Sequence, residues 1–319
     1  MNNKILIAGG AGFLGTNLAH YLKDKAQSIT IVDNLCTGSL SNLKTLEKYQ
    51  NIKFIKHDII NQFDFKDEKY DVIFNLASPA SPIPYQKNPI FTLKTNVIGT
   101  LNLLEIAKKH KAIFFQASTS EVYGDPEKHP QTEDYWGNVN PIGIRSCYDE
   151  GKRAAEALSM DYKRYHGVQV KIIRIFNTYG PFMDPEDGRV VSNFITQALQ
   201  GLPLTMYGQG EQTRSLCYVD DLLKGIMAMV NSDVTGPVNI GNPEEITVKD
   251  LANLIINLCQ SKSQIVYCPL PLDDPKKRCP DISLAKTLGW QPQILLKDGL
   301  LKAIYYFKTR MLNEPYVSS

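Results

Sequence analysis

The chain has 319 residues, enough for about two domains or for one large α/β unit with an appended lobe. Its 35 basic and 33 acidic residues nearly cancel, leaving a formal net charge of +2, which excludes the broad basic field of a nucleic-acid binder. With 43% apolar and 21% charged residues it is not a disordered chain, and no apolar run approaches the ~20 residues that cross a membrane.

In chain order, short apolar runs at Lys4–Ala8, Ile29–Val32, Ile52–Ile55, Val72–Leu76, Ile113–Gln116 and Val170–Ile175 read as buried strands. Helical patterns at Phe13–Leu22, Thr92–His110 and Asp149–His166 fall between them. Such alternation predicts a doubly wound α/β fold with a parallel sheet covered on both faces. Beyond Pro181 glycine and proline recur and the elements shorten. A helix at Asp221–Val230 with Asp220 as its cap, a strand at Val238–Ile240, and a helix at Thr247–Cys259 capped by Thr247 follow. A turn-rich loop at Pro269–Pro280 and helices at Leu284–Leu288 and Asp298–Met311 close the chain. The second part reads as a smaller mixed α/β lobe.

The apolar stretch Lys4–Gly15 is cut by glycines and lacks a small-residue cleavage site, so it is a poor signal peptide. Six scattered cysteines without a Cys-x-x-Cys pair point to reduced thiols and a cytoplasmic setting. The five histidines have no metal-ligand spacing, and no metal is expected.

Two constellations carry chemistry. Gly9-Gly10-Ala11-Gly12-Phe13-Leu14-Gly15 follows a strand and opens a helix. Its glycines permit a tight turn and close backbone approach to a pyrophosphate, and the helix N-terminus offers N–H donors. Asp33 ends the second strand, where an acid accepts hydrogen bonds from ribose hydroxyls; with no arginine in Asn34–Leu43, NAD is favoured over NADP. Asp58 reads equally as an adenine contact or a turn acid.

The second constellation is Tyr148 and Lys152, four apart on one helix face, with Thr119 just past the fifth strand. An ammonium beside a phenol lowers its pKa, so Tyr148 is the expected base, removing a hydroxyl proton while hydride leaves the same carbon.

The glycine loop, Asp33, the Tyr148/Lys152 pair and the long C-terminal lobe resemble the extended short-chain dehydrogenase/reductase family that acts on nucleotide sugars. Ala77-Ser-Pro-Ala-Ser-Pro82, Ala117-Ser-Thr-Ser-Glu-Val-Tyr-Gly-Asp-Pro126, Glu133-Asp-Tyr-Trp-Gly137 and Tyr148-Asp-Glu-Gly-Lys-Arg153 resemble its UDP-glucuronate decarboxylase group. So do Arg174-Ile-Phe-Asn-Thr-Tyr-Gly-Pro181, Asp187-Gly-Arg-Val-Val-Ser-Asn-Phe194 and Arg278-Cys-Pro-Asp-Ile282. Related dehydratases carry Thr-Asp-Glu at this point, whereas Ser120 here leaves Glu121 as the single acid.

That resemblance implies oxidation of the sugar C4 hydroxyl, loss of CO2 from the β-keto acid, and return of the hydride to give UDP-xylose with NAD retained. It implies catalytic roles for Thr119, Glu121, Tyr148, Lys152 and Arg278, although Arg278 also reads as a salt bridge to Asp281 or Asp274. Gly9, Gly12, Phe13, Leu14, Gly15, Asp33, Asn34, Thr37, Gly38, Asp58, Ile59, Lys94, Tyr148 and Lys152 would bind NAD. Tyr85, Asn177, Arg189, Val190, Tyr207 and Arg214 would bind the UDP-sugar. The expected division gives residues 1–178, with contributions from about 216–241, to the cofactor, and 179–215 with 242–319 to the nucleotide sugar. Thr92–His110 and Asp149–His166 match a four-helix homodimer interface, or equally a sheet-facing core. The competing activities are an oxidative decarboxylase that releases the 4-keto pentose, a nucleotide-sugar 4-epimerase, and a non-catalytic dinucleotide sensor.

Overall fold

The computed structural model describes residues 3–63, 68–269 and 278–313. Seven parallel strands form the main sheet: β1 (Lys4–Ala8), β2 (Ser28–Asp33), β3 (Ile52–Lys56), β4 (Val72–Asn75), β5 (Ile113–Thr119), β6 (Val170–Ile175) and β7 (Val238–Ile240). Their spatial order is β7-β6-β5-β4-β1-β2-β3. The order reverses direction between β1 and β4, and that switch point opens a crevice at the carboxyl ends of the strands. β1, β4 and β5 are buried along almost their whole length because helices cover both faces.

The predicted elements recur with shifted ends. Phe13–Leu22 is α1, and α2 (Ser146–His166) starts one turn before the predicted boundary and stops at the left-handed Gly167. The run predicted at Thr92–His110 is not one uniform helix: α-helices Pro89–Lys94 and Thr100–His110 flank a π turn at Thr95–Gly99. Thr247 caps Val248–Cys259 as expected, accepting from the Asp250 N–H. Asp220 is not a cap. The helix begins at Val219, with Tyr218 in the cap position and no side-chain bond. The neighbouring Asp221 is buried and accepts from the Gln293 and Ile294 backbone N–H groups at 2.7 Å, so these acids serve the C-terminal packing.

The later part contributes short paired strands: Thr178–Tyr179 with Cys217–Tyr218, Leu204–Tyr207 with Ile265–Cys268, and Thr213–Ser215 with Glu245–Thr247. Its core is continuous with one face of the sheet, since Ile5, Ile7 and Ile173 share a cluster with Leu204, Leu251 and Phe307. That continuity holds the small strands over the crevice. Residues 270–277 of the predicted loop, Asp274 included, lie outside the described residues.

Candidate active site

The glycine turn brings β1 to α1 with backbone in contact. A Cβ on Gly15 would lie 2.2 Å from the Gly9 carbonyl oxygen, so no larger residue fits. A Cβ on Gly12 would meet nothing closer than 3.4 Å; its absence leaves open space at an α1 N-terminus that has no side-chain cap. That is a cradle for an anion, with the first-turn N–H groups as donors. Asp33, at the end of β2, accepts from the Ala11 N–H at 3.0 Å and the Leu35 N–H at 2.8 Å. Burial raises its carboxyl, and those two bonds oppose the rise. Asn34 donates to Asp58 at 3.0 Å, joining the ends of β2 and β3. Ile59 packs on Gly99, while Thr37 is exposed in the loop leading to Gly38, itself against Asp33. The donor set suits a dinucleotide. Lys94 ends the helix Pro89–Lys94 exposed to solvent and is not part of the cleft wall.

The cleft below has a volume of about 510 Å³. Phe13 and Leu14 line it from α1, Thr119 and Glu121 from the end of β5, and Tyr148 and Lys152 from α2. Asn177, Arg189, Val190, Tyr207, Arg214 and Arg278 complete the wall, so residues scattered over the later half of the chain meet here. Arg189 pairs with Asp187 at 2.8 Å and stands 5.7 Å from the Phe13 ring, bridging the cofactor side and the helix Val190–Gln200. Tyr85 does not line the cleft. It is buried beneath Tyr148, the two rings stacked at 5.2 Å and 5°. The expected sugar contact is therefore a ring support for Tyr148 in this structure.

Lys152 donates to the Ala117 carbonyl oxygen at 3.0 Å, and burial brings its ammonium down to about 8. Its nitrogen is 5.8 Å from the centre of the Tyr148 ring. The Tyr148 phenol lies above its ordinary value, because burial outweighs the hydroxyl of Thr119 that opposes it. The expected lowering by Lys152 is not the dominant influence here: its ammonium donates to a backbone carbonyl, and burial sets the direction for Tyr148.

The most constrained part of the site is a charged wall. Thr119 caps the short turn Ser120–Tyr123 by accepting from the Glu121 N–H, which sets the Glu121 side chain. Glu121 Oε2 accepts from Arg145 at 2.6 Å and from Arg278 at 3.0 Å. Arg278 is 2% exposed and also donates to the Gly124 carbonyl oxygen at 2.5 Å, so it is an interior residue and not a surface partner of Asp281. Burial would raise the Glu121 carboxyl, but the two guanidiniums prevail and hold it down at about 2. The neighbouring Asp149 is the opposite case: burial, then the negative charge of Glu121, push its carboxyl up to about 7.

Arg145 and Asp149 are absent from the predicted set. The structure makes Arg145 the cap residue of α2, where a cation opposes the macrodipole, whereas the helix predicted from Asp149 left it in the preceding loop. Such a local violation marks a residue held for another purpose. Asp149 gives no comparable signal, since an acid in the first turn is ordinary.

The NAD dependent epimerase/dehydratase family matches residues 5–241, and the chain belongs to that family. Within it, the chain is 52% identical over 312 residues to UDP-glucuronic acid decarboxylase 1 of Danio rerio, spanning 98% of this chain and 74% of the relative. It is also 52% identical over 301 residues to UDP-glucuronic acid decarboxylase 6 of Arabidopsis thaliana, across 94% of this chain and 87% of that one. Among solved structures, the UDP-glucuronic acid 4-epimerase of Bacillus cereus, in complex with UDP-glucuronic acid and NAD, superposes with a TM-score of 0.86. That match has 30% identity and covers 96% of this chain and 99% of the other.

Proposed function

We propose that the chain decarboxylates UDP-glucuronate to UDP-xylose through a 4-keto sugar, with NAD held at the glycine turn. The observation that supports this most strongly is the wall beside Tyr148, in which two guanidiniums share one carboxylate. Two cations face Glu121 and an Asp149 that is protonated part of the time near neutrality, so the wall keeps a positive surplus suited to receiving the sugar's carboxylate next to the base that acts at C4. Glu121, held ionised, is no acid for expelling a hydroxyl, and Ser120 stands where a dehydratase would need one.

When bound, NAD accepts and returns the C4 hydride and brings a cationic ring into the site. Tyr148 takes the C4 hydroxyl proton, and Lys152 and Thr119 hold that proton path in place. Once C4 is a ketone the carboxylate is β to it. The C5–carboxylate bond then breaks and its electron pair enters the enolate, whose oxygen the Tyr148 and Thr119 hydroxyls stabilise where charge develops. Tyr148 finally returns its proton to the C4 oxygen. Asn177, Arg189, Val190, Tyr207 and Arg214 hold the UDP part; residues 1–178 with 216–241 serve the cofactor, Asn177 at their edge excepted, and 179–215 with 242–319 serve the nucleotide sugar.

Four apolar side chains exposed on the run 89–110, Ile90 at 70%, Leu93, Ile98 and Leu101, support pairing of two copies through this helix and α2. Six unbridged thiols support a cytoplasmic setting. No helix among the described residues is long and apolar enough to cross a membrane.

Incubation with UDP-glucuronate and NAD tests the activity. The expected outcome is CO2 and UDP-xylose in equal amounts with no steady accumulation of NADH. UDP-galacturonate without CO2 would assign a 4-epimerase instead, and NADH accumulating with the 4-keto pentose would assign an oxidative decarboxylase.

A further inference from the structure

Behind the wall lies a second, polar cavity of about 250 Å³, room for several waters. Glu121, Arg145 and Arg278 line both this cavity and the catalytic cleft, so the wall is a shared partition. The outer end of the cavity is set by the exposed Asn138 and Asn140, and its inner end by the buried Asp149. Two buried polar atoms at that inner end, Asp149 Oδ1 and Arg278 Nε, have no hydrogen-bond partner among the described residues. Buried polar atoms are nearly always satisfied, and two orphans on a roomy polar cavity open to solvent call for water there.

The chemistry of the proposed function requires such a site. Losing CO2 from a carboxylate leaves an enolate whose C5 must gain a proton, so each turnover consumes one proton from solvent. Tyr148 cannot supply it, because the proton that it takes from the C4 hydroxyl goes back to the C4 oxygen. Lys152 donates to the Ala117 carbonyl and does not line the rear cavity, and arginine holds its protons.

Resting on the decarboxylase reading, we propose that this rear cavity is the proton entrance of the site and that Asp149 is its relay. Asp149–COOH gives its proton through water at the partition to C5, the enolate collapses to the ketone, and the resulting carboxylate is reprotonated from solvent through the cavity. No oxidant or reductant is consumed in that step.

The electrostatics of the partition agree. Glu121, held at about 2, carries no proton near neutrality, whereas Asp149, raised to about 7 by burial and then by Glu121, carries one part of the time. The groups facing Asp149 are Glu121 and Arg278 of the partition, Arg145 at 4.0 Å, Glu150, Cys147 and Tyr148 on its own helix, and Tyr85 from the segment Pro82–Lys87. As a relay Asp149 must be protonated, so delivery to C5 weakens as pH rises through about 7.

The test uses the full chain with NAD and UDP-glucuronate, reading from pH 6 to 9 the ratio of UDP-xylose to UDP-4-keto-pentose, the form in which an enolate that leaves the site before delivery appears once bulk water protonates C5. In the wild type that ratio is expected to fall above about pH 7. Asp149→Asn should lower UDP-xylose formation at least ~10-fold at neutral pH, shift the product toward the 4-keto pentose and flatten the pH dependence. Asp149→Glu should restore part of each. A ratio flat with pH in the wild type, or an Asp149→Asn protein with wild-type ratio and profile, overturns the relay. Should Asp149→Asn fail to fold, the wild-type profile alone decides. A wild-type protein that forms no CO2 from UDP-glucuronate overturns instead the decarboxylase reading beneath it.

Discussion

The glycine turn at the head of β1 and the charged wall at the end of β5 serve one cleft but are assembled in opposite ways. The turn is local: residues 9–15 fold on themselves, and Gly15 exists to let its own backbone pass Gly9. The wall is long-range: Glu121 meets Arg145 from 24 positions on and Arg278 from 157 positions on. One region offers backbone donors and open space, whereas the other is filled with side-chain charge. Under the proposed function, the site thus uses backbone to grip phosphate and side chains to handle a carboxylate.

The contrast can be broken from either side. Tyr148→Phe keeps the ring stacked on Tyr85 and removes only the hydroxyl. Turnover is expected to fall by at least ~100-fold with the melting temperature unchanged, and a near-normal rate would remove Tyr148 from its role. Gly15→Ala forces a methyl group against the Gly9 carbonyl, so a loss of about 2–3 kcal/mol of stability is expected together with loss of NAD binding. Urea unfolding and cofactor titration measure both, and unchanged NAD affinity would contradict the assigned turn. Glu121→Gln should slow CO2 loss about tenfold or more while NAD affinity holds, since the wall is not part of the turn. Equal damage to both would make Glu121 a structural residue.

The smallest expected effect is a gain. Burial lowers the Lys152 ammonium from 10.5 to about 8, a cost near 3 kcal/mol that is fully present below pH 8 and fades as pH rises toward 10.5. Lys152→Met removes it along with a hydrogen bond of about 2 kcal/mol to the Ala117 carbonyl. That oxygen keeps the Gln116 side chain as donor. The net is roughly 1 kcal/mol of added stability at pH 7 in a protein without activity. A lower melting temperature than wild type at pH 7 would contradict this.

How much of this was legible beforehand follows the same divide. The strands of the main sheet and the glycine turn are written in contiguous residues, because period and turn chemistry are local properties. The lining of the cleft by Asn177, Arg189, Tyr207, Arg214 and Arg278 came through family resemblance, since no spacing rule connects positions so far apart. Arg145 was not legible, because the predicted helix began four residues after it, and neither was Asp149, because its character comes from burial beside Glu121. Tyr85 shows the limit differently: its residue type suited a sugar contact, and only packing reveals that it lies beneath Tyr148. Asp220 failed as a cap because the adjacent Asp221 is drawn into the Gln293–Ile294 backbone.

In the proposed reaction a ketone is made at C4 and unmade by the same hydride while CO2 leaves from the neighbouring carbon. Following deuterium from UDP-glucuronate labelled at C4 tests this most directly. The label is expected to remain on C4 of the UDP-xylose formed. UDP-xylose that has lost the deuterium to water would contradict it.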